Sequence, residues 1–254
     1  MRNYFYLLSC SFLFFLLSAC ERKAANPLVL YDEIDWMKPQ TNTLTDFEKA
    51  KGWQLLFDGH SGKNWHGYNL QTFPDCWQIE DSCLTMKNVG GAEQTQDLIS
   101  DKEYASFALS LEYKLEAGAN SGILFQVKEA PRYTYAYETG PEFQVIDHEN
   151  WPDQLDDWQI NGSNYAMYPP LAKPYKPLGE WNRLMLVVDG NEVTQILNGK
   201  IVVKYTKYST EWTQLRQSGK WADYPDYGKF EQGHISLQNH GTKVWYRNIL
   251  LKKL

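Results

Sequence analysis

The chain has 254 residues, of which 43% are hydrophobic and 15% aromatic, and carries a net charge of −6. That balance, without any basic stripe, argues against nucleic acid as a partner. The length supports one large domain with a full core, of about 230 residues once a leader is set aside.

The leader comes first. Arg2 precedes an apolar run from Tyr4 to Ser18, too short to span a bilayer and typical of a signal peptide. It ends in "LSAC", Leu17 to Cys20, which resembles a lipoprotein signal. The expectation is removal of residues 1–19, a lipid on Cys20, and an extracytoplasmic protein tethered to a bacterial envelope membrane. A plain secretory signal with an incidental cysteine is the alternative. Residues 20–44 are polar, contain Pro27 and Pro39, and are expected to be a tether. The domain is expected to occupy residues 45–254. It opens with a short helix, because Thr45 and Glu48 have the spacing of a capping box and Gly52 can end the turn.

Strand patterns follow almost without interruption. "CWQIE" and "CLTM" predict a hairpin turning at Asp81-Ser82. In that register Cys76 lies roughly 13 Å from Cys83, beyond the reach of about 7 Å that a disulfide needs, so both are expected to be free thiols. In "FALSLEYKL", Phe107, Leu109, Leu111 and Tyr113 share one face. "GILFQV" and "EFQVID" are further strands. Three more are joined at Asp189-Gly190 and Asn198-Gly199, both strong hairpin signals. "GHISLQN" and "VWYRNILLKKL" close the chain. Together these predict an all-β, antiparallel sandwich. Two long insertions, 148–179 and 208–233, interrupt it; their aromatics favour ordered loops.

Three strands present an unusual second face. Ile235 and Leu237 alternate with Ser236, Gln238 and His240; Phe143 and Val145 alternate with Glu142, Gln144 and Ile146; Ile123, Phe125 and Val127 alternate with Leu124 and Gln126. Amides, a hydroxyl, a carboxylate and an imidazole side by side would form a polar groove for a hydroxyl-rich ligand. Exposed Trp and Tyr suit stacking on sugar rings. The imidazole of His240 suits proton transfer near neutral pH. Arg247 is a clamp for an oxyanion or a surface ion-pair partner. Asp147 and His148 are acid–base or metal candidates, although one such pair is a weak metal signal. A phosphate loop, a zinc signature and a nucleophile elbow are absent from the sequence.

Six segments in order, "GWQLLFDGHSGKNW", "WQIEDSCLTM", "GANSGILFQV", "PEFQVIDHEN", "GEWNRLMLVVDGNEVTQILNGKIV" and "GHISLQNHGTKVWYRNI", resemble the 3-keto-disaccharide hydrolase domain family across residues 45–254. The resemblance implies a concanavalin A-like or LamG-like jelly-roll sandwich. It also implies cleavage of glycosides oxidised to a ketone at C3: C2 proton abstraction, elimination at C1, then hydration. Under it His240, Glu142 and Asp147 are the expected catalytic residues, and Asn120, Ser121, Gln126, Gln144, Gln238 and Arg247 are expected to bind substrate. Phe143 stands where a Tyr is common in the family, and His148 is not a fixed position there. No cofactor is required. Calcium is compatible with such a sandwich, although no ligand set marks a place for it. Two other functions remain open: a lectin-like module that binds carbohydrate without chemistry, and a glucanase acting on unoxidised glycans.

Overall fold

A computed structural model describes residues 24–87 and 96–254; the leader and Cys20 lie outside them. Thirteen strands are found among the described residues, and every pairing is antiparallel. In chain order they are β1 (Gln54–Leu55), β2 (Trp65–Gly67), β3 (Trp77–Glu80), β4 (Cys83–Met86), β5 (Leu98–Ser100), β6 (Phe107–Leu115), β7 (Asn120–Val127), β8 (Glu142–Ile146), β9 (Asn182–Asp189), β10 (Glu192–Leu197), β11 (Lys200–Thr206), β12 (His234–Leu237) and β13 (Val244–Lys253). They form two sheets. The larger has the order β11-β10-β9-β6-β13-β4-β3, with β1 paired to β13. The smaller has the order β2-β5-β12-β7-β8. Period-2 alternation explains the sandwich. Phe107, Leu109, Leu111 and Tyr113 of the larger sheet meet Ile123, Phe125, Phe143, Val145, Ile235 and Leu237 of the smaller in one buried core.

Local chemistry sets the turns. Asp81 and Ser82 both take positive φ, 49° and 59°, and close the β3–β4 hairpin with Glu80 opposite Cys83. Asn198 and Gly199 do the same between β10 and β11. The other expected turn sits one residue later, at Gly190 and Asn191, because Asp189 still pairs with Glu192. Cys76 and Cys83 are buried free thiols. Helix α2 (Asp46–Ala50) carries the complete capping box of Thr45 and Glu48.

The expected tether is a packed element wherever it is described. Residues 27–32 form helix α1, capped by the Asn26 side chain. Leu30 and Ile34, four residues apart, are buried with Trp53 against Ala108, Met185, Val187, Ile196 and Leu250 on the outer face of the larger sheet. Asn42 and Asn248 exchange two hydrogen bonds of 2.6 and 2.8 Å, and Glu33 accepts from both Trp53 Nε1 and Lys252 Nζ. The apolar pair at helical spacing outweighs the surrounding polar residues, since each buried aliphatic contributes about 2 kcal/mol.

A bulge breaks the alternation in β7. Gln126 takes φ 54° and the β12–β7 register shifts between His234 and Ser236. Gly233 lies so close to the Gln126 backbone that a Cβ there would collide with it. The bulge turns Gln126 away from the outer face.

Candidate functional site

The outer face of the smaller sheet carries the site. Leu124 on β7 lies opposite Glu142 on β8, and Gly122 lies opposite Gln144. The Gly122 carbonyl accepts from the Gln238 backbone N–H at 2.9 Å. Glu142, Gln144 and Gln238 therefore share one face across three neighbouring chain segments. The Glu142 side chain lies over Gly122, where any Cβ would strike its Oε1. That contact is the physical reason for glycine after Asn120-Ser121.

A cleft of about 400 Å³ opens beside these residues. Gln238, Asn239 and His240 form one wall, Tyr68, Gln96 and Asp97 another, and the turn from Thr134 to Tyr137 a third. Tyr135 is 54% exposed and stacks on Tyr137 at 5.0 Å, offering a free aromatic face. The Asn239 backbone N–H donates to Asp97 Oδ1 at 2.9 Å. The Gln144 amide donates to the Gln159 carbonyl at 3.1 Å, while its Oε1 is buried without a partner among the described residues. Asn120 Oδ1 is in the same condition.

The electrostatics separate the acids from the imidazole. Glu142 is buried and no side chain among the described residues hydrogen-bonds its carboxyl. Burial pushes its pKa up to about 8; Lys220 pulls the other way and the Asp97 charge adds to the rise. Burial pushes Asp97 up to about 7 against the Asn239 hydrogen bond. His240 opens to solvent at the rim with Trp151 edge-on at 6.2 Å. The surrounding protein, with the nearby Lys220 charge, nevertheless holds its imidazole below the ordinary value of 6.5. These shifts favour a protonated carboxyl at Glu142, beside the cleft, and an unprotonated imidazole at His240 on its wall, a pairing suited to acid and base roles.

Of the expected residues, Gln238 and His240 line the cleft, while Glu142, Gln144 and Asn120 lie buried on the sheet face beside it. Four lie elsewhere. Ser121 points into the core, its Oγ bonded to Tyr246 Oη and to the Gln238 carbonyl. Gln126 turns at the bulge to accept from Lys207 Nζ and to donate to the carbonyls of Ala105 and Glu231. Asp147 accepts from the Gly118 N–H and the Asn150 amide at 2.8 and 2.9 Å, so its carboxylate holds a loop beside the hydrogen-bonded pair His148 and Tyr175. Arg247 lies on the far side of the larger sheet, bonded to Glu112 at 2.8 Å and stacked 3.8 Å from Trp181. No three His, Cys, Asp or Glu side chains among the described residues are grouped to hold a metal ion. Asp97, Asn239 and the ring pair Tyr135 and Tyr137 were not expected from the sequence. Only the density of tyrosines around residue 135 hinted at them.

An antiparallel sandwich with a polar cleft on one sheet face defines the class: a lectin-like β-sandwich protein. The chain belongs to the family described as the 3-keto-alpha-glucoside-1,2-lyase-like domain, whose model matches residues 52–252. It is 29% identical over 289 aligned positions to a 3-keto-disaccharide hydrolase from Bacteroides thetaiotaomicron, with both chains covered in full. A candidate glycosyl hydrolase from Parabacteroides distasonis has a similar structure, with TM-score 0.80, 38% identity, and coverage of 85% of this chain and 100% of that one. A second from that organism, 24% identical with TM-score 0.59, covers 80% of this chain and 99% of its own and shares the fold.

Proposed function

We propose that the protein cleaves glycosides already oxidised to a ketone at C3. The observation that carries this reading is the cleft's opposed pair: Glu142, buried and unpaired with its pKa raised, and His240, with its pKa lowered. The family match and the hydrolase relative support the substrate class.

A C3 ketone acidifies the proton on C2. His240, neutral at working pH, takes that proton, and the electron pair left on C2 delocalises to the C3 oxygen as an enolate. The enolate collapses, forms the C1–C2 double bond and breaks the C1–O bond. Glu142, protonated at neutral pH, gives its proton to the leaving oxygen. Water then adds at C1 of the enone. Glu142, now a carboxylate, accepts a proton from that water, and the imidazolium returns one to C2. The net change is hydrolysis, redox-neutral, with both groups restored and no redox cofactor consumed. General acid and base each contribute about 10²–10⁴-fold. The Asp97 charge adds to the rise at Glu142. Gln144, Gln238 and Asn120 orient the sugar hydroxyls. The leader and Cys20 support an extracytoplasmic, lipid-anchored protein.

The test is incubation of the purified domain with an alkyl 3-keto-glucoside and with its unoxidised parent. The proposal predicts release of the alcohol from the first alone. Cleavage of the parent would indicate a glucanase, and binding without cleavage a lectin.

A further inference from the structure

The proposed chemistry leaves one demand unmet by the cleft walls, namely a partner for the negative charge that develops on the C3 oxygen. The second insertion supplies a cation. Helix α3 (Thr210–Arg216), capped by Ser209, leads into a short turn, Gly219–Asp223, that carries Lys220. The neighbouring Trp221 anchors this turn. It is 1% exposed, stacks on Tyr227 at 3.8 Å, and donates its indole N–H to the Tyr165 carbonyl at 3.3 Å. With the backbone fixed there, Lys220 Nζ stands 4.5 Å from the centre of the Tyr137 ring, 4.7 Å from Tyr165 and 4.9 Å from Trp221. Tyr137 is itself a wall of the cleft.

Three aromatic faces hold an ammonium in place without cancelling its charge. Lys38 and Lys252 show the contrast, since each is neutralised by a carboxylate, Glu48 at 3.1 Å and Glu33 at 2.7 Å. Lys220 has no carboxylate within ion-pair distance among the described residues. Its charge is nonetheless felt by both proton carriers, Glu142 and His240. A cation without a carboxylate partner, held against a cleft wall and felt by both proton carriers, is suited to stabilise an oxyanion.

We infer that Lys220 is a catalytic residue that donates to the C3 oxygen of the keto-sugar and stabilises the enolate. The inference rests on the keto-glycosidase reading proposed above. The three rings hold the ammonium beside Tyr137 while the side chain stays open to solvent, so an N–H is left for the substrate. An unoxidised sugar presents a hydroxyl at that point, which gains far less from the charge. Lys220 thereby also discriminates for the oxidised substrate.

The experiment compares wild type, Lys220→Ala and Lys220→Met on an alkyl 3-keto-glucoside from pH 5 to 10, each below its own melting temperature. The expected result is a loss of about 10²–10³-fold in kcat at every pH, the magnitude of a removed oxyanion donor. Added ethylammonium is expected to restore part of the Lys220→Ala loss, a rescue that a merely structural lysine would not show. Activity within about threefold of wild type, far below that magnitude, would overturn the inference while leaving the keto-glycosidase reading standing. So would a loss that only shifts along the pH axis, since that is the signature of a charge tuning Glu142 and His240. A wild type inactive on keto-glucosides overturns both.

Discussion

His240 lines the cleft and Glu142 is buried on the sheet face beside it, yet the two depart from their ordinary pKa values in opposite directions, and each displacement has a residue-level cause. Gly122 lets the Glu142 carboxyl settle onto the sheet, where burial favours its neutral form. The rim around His240 disfavours the imidazolium. The rate should therefore follow a bell in kcat/KM, with an acid limb below pH 6.5 from His240 and an alkaline limb near 8 from Glu142. Glu142→Gln should abolish the alkaline limb and cost about 10²–10⁴-fold on alkyl 3-keto-glucosides. It should cost much less on aryl substrates, whose leaving groups need no proton. Stability gives an independent check. A carboxyl whose folded-state pKa is raised contributes stability below its unfolded pKa and loses it as pH rises toward about 8. Thermal unfolding above pH 8 should accordingly find Glu142→Gln more resistant than wild type.

Among the elements, what the sequence revealed and what it hid divide along the range of the interactions. The capping box of Thr45 and Glu48 and the turns at Asp81-Ser82 and Asn198-Gly199 depend on neighbours within four residues, so they were readable. Alternation in β8 and beyond β12 likewise put Glu142, Gln144 and Gln238 on the outer face, with His240 beside them. Alternation cannot reveal which sheet a strand joins. Arg247 has the right face on β13, but β13 belongs to the larger sheet, whose outer side looks away from the cleft. Nor does it foresee a bulge, and the one at Gln126 reverses the side chains that follow. Asp97 and Lys220 enter from loop ends, and only the tertiary fold brings them to Glu142. If Arg247 serves the sheet, Arg247→Ala should leave kcat and KM unchanged. It should lower stability by about 1 kcal/mol through the lost Glu112 ion pair and Trp181 stacking, as read by denaturant unfolding.

At the scale of the whole molecule, the sandwich is covered on both outer sides. Residues 24–44 close the larger sheet, and the two insertions flank the cleft on the smaller one, the first bringing Trp151 against His240 and the second Lys220 against Tyr137. Deleting residues 24–44 would uncover Trp53, Ile196 and Leu250. Calorimetry should then show a melting temperature lower by about 10 °C or more, with the cleft chemistry retained at low temperature, because several kcal/mol of apolar burial is removed. Under the proposed function, both covers serve the same end, a rigid sheet that holds a proton donor and a proton acceptor around a sugar. The most direct measurement of that claim is turnover of a 3-keto-glucoside in D₂O. His240 opens to solvent, so the proton it removes exchanges before it is returned. The released 3-keto-glucose should carry deuterium at C2, and the unoxidised parent should remain intact. Product without deuterium at C2, or cleavage of the parent, would show that the bond breaks by another route.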